Sequence, residues 1–263
     1  MMDLQPHGPD TFVGIGPRYP WGGLYGGQIV AQALRAAGLS VESDHLPHSL
    51  HAYFIRPGDH TEPIRFEVDR IRNGRSFTTR RVVARQSIGA IFNMAASFQR
   101  LEEALDVTPV NAPDVAAPES IEDTSWSHVF DKRQLDNPWS PEASGATSAW
   151  LRMREPVAPD ALTQACAIAY LSDDLPTEAI VAEHPDRLGL TSEEDFGKTF
   201  ISASLDHAIW FHRPIDPSDW SLFTMRSRGQ VGSRGLSTGE VFDASGLHTA
   251  TVTQEVLLRR RSR

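Results

Sequence analysis

Residues 204–214 read SLDHAIWFHRP and place a hydroxyl, a carboxyl and an imidazole side chain within four positions. Ser204, Asp206 and His207 are of the residue types that supply a nucleophile, an orienting acid and a base in hydrolases. The segment also reads as a strand, in which neighbouring side chains point to opposite faces. Asp206 and His207 therefore cannot readily act on one substrate atom. The pair favours a structural role, and Ser204 is the better candidate for chemistry.

The same mixture of residues occurs earlier in the chain, in HSLHAYFIRP at residues 48–57. Phe-Ile-Arg-Pro at 54–57 corresponds to Phe-His-Arg-Pro at 211–214, an offset of 157, and Gln99 and Gln254 lie 155 positions apart. Two offsets this similar indicate an internal duplication. The strand that carries Ser204 therefore has a structural counterpart in the first half.

Each half has the same order of elements. Residues 25–38, YGGQIVAQALRAAG, have apolar side chains at three-to-four spacing and predict a helix that ends at Gly38. Residues 159–174, PDALTQACAIAYLSDD, predict a second helix with Asp160 as its N-cap. Strand-like runs follow each helix, so each half predicts one helix and an antiparallel sheet.

This arrangement belongs to the α+β class. A long helix wrapped by an antiparallel sheet is the hotdog architecture, and two tandem copies would pair their sheets edge to edge, which protects the edge strands. We predict an N-terminal hotdog repeat over residues 1–100 and a C-terminal hotdog repeat over residues 149–263. Between them, residues 101–148 are rich in proline, alanine and acidic residues and predict a connector.

The composition excludes several classes of protein. A net charge of −9 at pH 7 argues against a nucleic-acid-binding protein, which needs a basic surface. No apolar run approaches the roughly 18–20 residues of a membrane span, and the N-terminus lacks the pattern of a secretory signal. The single Cys166 excludes an internal disulfide framework and favours a reducing, cytoplasmic location. The spacing of His, Asp and Glu residues predicts no metal site.

Arginines are concentrated in one segment of the first half, RIRNGRSFTTRRVVAR. They are Arg70, Arg72, Arg75, Arg80, Arg81 and Arg85. Two interpretations stay open: a solvated strand face, or a local anion site suited to a small molecule that carries phosphate.

Several long motifs together resemble the acyl-CoA thioesterase II family over about residues 10–260. They are GGLYGGQIVAQAL, HSLHAYFIRPGD, RNGRSFTTRRVVARQ, IFNMAASFQ, LDHAIWFHRP and TQEVLLR. The resemblance implies a double hotdog fold and hydrolysis of fatty acyl-CoA to free fatty acid and CoA, with no cofactor.

The resemblance also implies a catalytic set of an Asp, a Thr or Ser, and a Gln, all in the second half. The family's Asp follows a Tyr-x-Ser pattern, which places it at Asp173, and the other two positions fall on Ser204 and Gln254. Ser204 stands where a Thr is often found. The change keeps the hydroxyl but loses the methyl group that restricts its rotamer, and we expect activity to survive it.

Thioester hydrolysis needs a water aimed at the carbonyl carbon, a group to accept its proton, and donors for the developing oxyanion. Asp173 ends an apolar helix, where burial would raise its pKa, although it could also be a solvated helix-end residue like its neighbour Asp174. Gly27, at the start of the first helix, is a candidate oxyanion donor, with a tight turn as the alternative. His48 is a second-tier candidate, because a strand histidine more often has a structural role.

Two other functions stay open at this point. An enoyl-CoA hydratase of the same fold would have a His five residues after the Asp, but Glu178 and Ala179 follow Asp173 and Asp174 at that distance. A non-catalytic acyl-CoA-binding protein is the other alternative, since a fold does not prove an activity. The expected partner is the acyl-CoA substrate, and hotdog proteins also form homo-oligomers.

Overall fold

The computed structural model describes residues 2–19, 21–140, 143–190 and 192–261. In these residues, the first half contains one long helix, α1 (Gly26–Gly38), and six strands. They are β1 (Leu4–Pro6), β2 (Thr11–Gly14), β3 (His45–Phe54), β4 (Ile64–Asn73), β5 (Phe77–Gln86) and β6 (Gly89–Arg100).

The second half repeats this order with added elements. Its helices are α2 (Ala161–Leu171), α3 (Pro176–Val181) and α4 (Glu193–Thr199). Its strands are β7 (Phe130–Gln134), β8 (Ala146–Met153), β9 (Phe200–Ser204), β10 (Asp206–Phe211), β11 (Ser221–Val231), β12 (Arg234–Phe242) and β13 (His248–Arg260). Strand β7 lies within the predicted connector and extends the sheet by pairing with β8. The domain boundaries themselves stay a prediction.

All the strands form one antiparallel sheet, in the order β1-β2-β4-β5-β6-β3-β10-β13-β12-β11-β8-β7, with β9 also pairing with β13. The two halves meet where β3 pairs with β10, so the predicted edge-to-edge pairing of two α+β hotdog repeats is confirmed. At this junction His51 pairs with Ala208, its equivalent at an offset of 157. A local twofold axis therefore passes through this pair.

The register corrects one predicted equivalence. His51 pairs with Ala95 in β6, whereas Ala208 pairs with Thr253 in β13. The counterpart of Gln254 is therefore Ala96 rather than Gln99. The correspondence of Gln99 and Gln254 in the sequence was an accident of residue type.

Helices α1 and α2 pack against each other under the sheet. The core side chains of α1 are small or medium-sized, including Val30, Ala33 and Leu34, and all three are fully buried. Gly38 does end α1, but its role is close packing rather than a left-handed turn. A Cβ atom at Gly38 would lie 2.4 Å from Leu162 of α2.

Asp160 is the N-cap of α2, as predicted, and its carboxylate accepts a hydrogen bond from the Thr163 amide at 2.9 Å. Helix α1 differs because its N-cap, Tyr25, makes no side-chain capping bond. The first amides of α1 are therefore available to other acceptors. Within the described residues, no helix is long and apolar enough to cross a membrane.

Candidate active site

Asp173 lies just beyond the end of α2, where the start of α1 and the end of β9 meet it. Only 9% of the residue is exposed. Its Oδ2 accepts a hydrogen bond from the Gly27 amide at 2.9 Å, and its Oδ1 accepts one from Ser204 Oγ at 3.4 Å. The carboxylate is therefore held between a helix N-terminus from the first half and a hydroxyl from the second.

A chain of side chains extends from Ser204 into the core. Gln254 Nε2 donates to Ser204 Oγ at 2.8 Å, and Gln254 Oε1 is hydrogen-bonded to His207 Nδ1. His207 Nε2 lies 2.8 Å from Ser172 Oγ. The structure thus brings together all three residues of the predicted set, Asp173, Ser204 and Gln254, and adds His207 and Ser172 behind them.

The oxygen of the Gln254 amide fixes the tautomer of His207. Gln254 Oε1 can only accept, so His207 Nδ1 carries the proton in this contact. The unprotonated Nε2 faces Ser172 Oγ, whose hydroxyl proton is shared between this nitrogen and the Ala169 carbonyl oxygen at 3.0 Å. Burial lowers the pKa of His207 to about 4, which keeps the imidazole neutral as this arrangement requires. With its oxygen fixed by His207, the Gln254 amide must direct its NH₂ group toward Ser204.

Burial raises the pKa of Asp173 to about 7. Hydrogen bonds from Gln254, Gly27 and Ser204 favour the carboxylate and oppose this effect, while the charge of Asp174 adds to it. A carboxylate with a pKa near neutrality is both sufficiently ionised and sufficiently basic to take a proton from water at physiological pH.

Asp174, the neighbour in sequence, points to a different environment. Its Oδ2 forms an ion pair with Lys132 Nζ at 2.7 Å, and its Oδ1 accepts a hydrogen bond from Trp126 Nε1 at 2.5 Å. Lys132 also pairs with Glu178 Oε1 at 2.9 Å. We call Lys132, Asp174 and Glu178 the buried ion cluster, which adjoins Asp173 through Asp174, the next residue in the chain.

The glycines at the start of α1 are required by close packing. A Cβ atom on Gly26 would lie 2.6 Å from Asp173 Oδ2, and one on Gly27 would lie 2.2 Å from the Tyr170 carbonyl oxygen. Neither position can hold a side chain without moving the helix. The Gly27 amide is engaged with Asp173, whereas the Gly26 amide has no acceptor among the described residues.

Comparison with known proteins identifies the family. The acyl-CoA thioesterase N-terminal domain matches residues 16–99, and the acyl-CoA thioesterase C-terminal domain matches residues 106–258. Acyl-CoA thioesterase 2 of Haemophilus influenzae is 34% identical over 258 residues, covering 90% of this chain and 87% of that protein. The chain belongs to the acyl-CoA thioesterase family.

Other acyl-CoA thioesterases match the chain over nearly its whole length. Human acyl-coenzyme A thioesterase 8 is 31% identical over 98% of this chain and 88% of its own length. The crystal structure of acyl-CoA thioesterase II TesB2 from Mycobacterium marinum has a TM-score of 0.82 and 32% identity, covering 99% of this chain and 96% of that one. A protein from Alicyclobacillus acidocaldarius described as having a hot dog fold has a TM-score of 0.81 at 21% identity, covering 99% of this chain and 97% of that one, which supports the fold prediction.

Other candidate residues of this acyl-CoA thioesterase lie outside the cluster of Asp173, Ser204 and Gln254. His48, the second-tier candidate, is hydrogen-bonded to Ser97 Oγ at 2.8 Å and contacts none of the three predicted catalytic residues. Asp206 accepts a hydrogen bond from the Glu255 amide at 2.7 Å, which is a structural role. Within the described ranges, no group of three or more His, Cys, Asp and Glu side chains is placed to hold a metal ion.

The arginine-rich segment is largely engaged within the protein. Arg70, Arg81 and Arg85 form ion pairs with acidic side chains of neighbouring strands or loops. Arg80 is buried and donates to Ser40 Oγ at 2.7 Å and to the Ser40 carbonyl at 2.9 Å. These contacts favour a structural role over a phosphate site for four of the six arginines.

His207 is a functional candidate, although the sequence favoured a structural role for it. The predicted strand is interrupted at Leu205, between β9 and β10, so the alternation of faces that separated Ser204 from His207 does not hold across this position. Both residues reach Gln254 as a result. The adjacent Asp-His pair was the signal present in the sequence. The break in the strand explains how His207 of this pair reaches Gln254.

We expect His207→Phe to lower kcat by on the order of 10–100-fold with little change in KM, because Gln254 loses the contact that fixes its amide orientation. Steady-state kinetics with a medium-chain acyl-CoA measures this split. His207→Asn is the matched control, since its amide nitrogen replaces Nδ1 as a donor, and it should recover part of kcat. Equal losses in both variants, or a change confined to KM, would contradict a positioning role.

Proposed function

We propose that this chain hydrolyses fatty acyl-CoA to free fatty acid and CoA, using water activated by Asp173. The observation that carries the proposal is a buried carboxylate of raised pKa, fixed from both sides by Gly27 and Ser204. Membership of the acyl-CoA thioesterase family supports the choice of substrate. The reaction needs no cofactor, because a thioester is already activated toward attack by water.

In the proposed mechanism, Asp173 accepts a proton from the water as its oxygen forms a bond to the thioester carbonyl carbon. Ser204 Oγ and Gln254 Nε2 hold the same water, and His207 acts only through Gln254. The tetrahedral intermediate then collapses, the carbon–sulfur bond breaks, and the proton on Asp173 passes to the departing CoA sulfur. Carboxylic acid and CoA thiol are formed, and Asp173 is again ionised.

The developing oxyanion needs a donor that is free in the resting enzyme. The sequence suggested Gly27, but its amide is engaged with Asp173. We therefore propose the adjacent Gly26 amide as the oxyanion donor and assign Gly27 to holding Asp173. Both amides lie at the positive end of the α1 dipole, which stabilises negative charge on either group.

A panel of acyl-CoA substrates tests the function directly. Release of free thiol from saturated acyl-CoAs of increasing chain length is the expected result. If no free thiol is released from a trans-2-enoyl-CoA but its enoyl absorbance is lost, the hydratase alternative would be supported instead. Binding of acyl-CoA without either reaction would support a non-catalytic binding protein.

The activity is expected to depend on pH through Asp173. Because only the ionised carboxylate accepts a proton, kcat/KM should rise with pH, reach half its limit near the Asp173 pKa of about 7, and level off above it. Steady-state measurements with one acyl-CoA across the acid and neutral range give the profile. A profile whose acid limb has its midpoint at the ordinary aspartate pKa of about 3.9 would contradict burial as the dominant effect on this carboxylate.

We also propose a location and an oligomeric assembly for the protein, each from a separate observation. A single cysteine supports our proposal of a cytoplasmic location. Tyr53 and Trp210, which are equivalent by the twofold, are exposed on the central strands of the sheet. Aromatic side chains exposed on a sheet face support homo-oligomer formation through that face, which sedimentation velocity would test.

A further inference from the structure

A cavity lies between α2 and the sheet, at the opposite end of α2 from Asp173. Its volume is about 560 Å³, within the range of small-molecule sites. Its inner wall is apolar and includes Ala165, Ile168, Phe211 and Ile215, and the segment after β6 forms one side of its mouth. The proposed mechanism uses none of these residues.

The local twofold axis relates this cavity to the active site. Phe211, at the cavity, is the equivalent of Phe54, whose ring lies 3.0 Å from the position that a Cβ on Gly26 would occupy. Pro47, which also lines the cavity, is the equivalent of Ser204 at the same offset of 157. The cavity is therefore the first-half counterpart of the site that is proposed to act on acyl-CoA.

The catalytic groups are missing from this counterpart. Pro47 and Ala96 replace the hydroxyl and the amide, and the residues that follow α1, Leu39, Ser40 and Val41, include no carboxylate. The N-terminus of α2 is capped by its own Asp160, so its first amides face a negative charge. A thioester bound here would meet no counterpart of Asp173, Ser204 and Gln254, and His48, which lines the cavity, is engaged with Ser97 Oγ.

Polar groups are nevertheless present around the apolar wall. The side-chain amides of Gln99 and Gln164 line the cavity and have no hydrogen-bond partner among the described residues. The Arg100 guanidinium, which also forms an ion pair with Asp44, lies at the same mouth. Two carboxylates also line the cavity: Asp106 is paired with Arg213, and Glu102 is an exposed residue. The apolar wall suits an alkyl chain, and the amide and guanidinium donors suit a carboxylate at its end.

We propose that this cavity is a second, non-catalytic site that binds a fatty acid, the product of the reaction. The identity of the ligand rests on the proposed function, since the cavity is the degenerate copy of the acyl-CoA site. The carboxylate faces Gln99, Gln164 and Arg100, and the alkyl chain lies along Ala165, Ile168 and Phe211. Fatty acid bound here does not block the catalytic groups, which lie at the other end of α2.

Calorimetric titration of the full chain with dodecanoate, and separately with dodecanol, tests the site. Gln164→Glu is isosteric, lies on a half-buried surface of α2 and adds a negative charge at the cavity. It should weaken dodecanoate binding at least tenfold and leave dodecanol binding unchanged. Gln164→Trp fills the cavity and should weaken both ligands. The value of kcat/KM, from thiol release at low acyl-CoA concentration, should stay at the wild-type value in both variants.

Two results would overturn the proposal. One is dodecanoate binding that neither variant weakens, or that added CoA displaces, since the fatty acid would then occupy the substrate site. The other is a loss of kcat/KM equal to the loss of dodecanoate affinity, because the cavity would then belong to the path of the substrate. Absence of thiol release would refute the proposed function but leave the dodecanoate titration interpretable.

Discussion

Replacing Asp173 by asparagine is expected to lower kcat by about 10³-fold, because the variant keeps the shape of the side chain and loses the base. The side-chain oxygen of the asparagine can still accept the hydrogen bond of the Gly27 amide, so the local geometry should persist. Thiol release from a medium-chain acyl-CoA measures the loss. Asp206→Asn is the matched control, since it removes the conspicuous aspartate of the SLDH segment without touching the site, and its kcat should stay near the wild-type value.

The same substitution is expected to leave the protein at least as stable at pH 8. The pKa of Asp173 is about 7 in the folded protein, raised from 3.8, so between these values the native state binds more protons than the unfolded chain. The free energy of unfolding then falls as pH rises through this window, and the cost of the buried charge is complete above it. The neutral amide of the Asp173→Asn variant carries no such cost.

Thermal unfolding at pH 5 and pH 8 separates this effect of the buried charge from a general loss of structure in the variant. The difference in melting temperature between Asp173→Asn and wild type should be more positive at pH 8 than at pH 5. The change is about 2–4 °C for each 1 kcal/mol by which loss of the buried charge stabilises the variant. A variant that is inactive and also less stable at pH 8 would have lost its structure rather than its base. Full activity in Asp173→Asn would refute the catalytic assignment.

Replacing Lys132 by methionine is expected to lower the free energy of unfolding by about 3–5 kcal/mol, because it leaves buried carboxylates without their counter-charge. The side chain of Lys132 is only 4% exposed and pairs with both Asp174 and Glu178. Burial disfavours its charge, but the two carboxylates outweigh this and raise the pKa of Lys132. Urea unfolding at neutral pH measures the loss.

The variant should also move the pH profile of the enzyme. The charge of Asp174 already raises the pKa of Asp173, and without Lys132 that charge is no longer balanced. The midpoint of kcat/KM should therefore shift to higher pH. The triple variant with Lys132→Met, Asp174→Asn and Glu178→Gln removes the whole buried ion cluster and should recover most of the stability and reverse the shift.

Failure of the triple variant to recover stability would mean that Lys132 acts through packing and not through charge. A stable Lys132→Met variant with an unchanged pH profile would mean that the buried ion cluster is not electrically coupled to Asp173. Either outcome would leave the assignment of Asp173 itself untouched, because that assignment depends on its contacts with Gly27 and Ser204.

Much of this protein could be predicted from its sequence alone, because local patterns specify local structure. The apolar periodicity of residues 25–38 and the Asp160 cap gave both long helices, and the repeat gave the double hotdog fold. The resemblance to acyl-CoA thioesterases pointed to Asp173, Ser204 and Gln254, and the structure places these side chains in one hydrogen-bonded cluster.

Only the tertiary structure decided how those groups are held. The interruption at Leu205 depends on pairing with both β13 and the first half, so no local pattern in SLDHAIWFHRP could indicate that His207 reaches Gln254. The Gly27 contact joins residues 146 positions apart, and Lys132 pairs with Asp174 from a segment that was predicted to be a connector. The pKa of Asp173 depends on burial by both halves, which is a property of the packed sheet and helices and not of the residues around position 173.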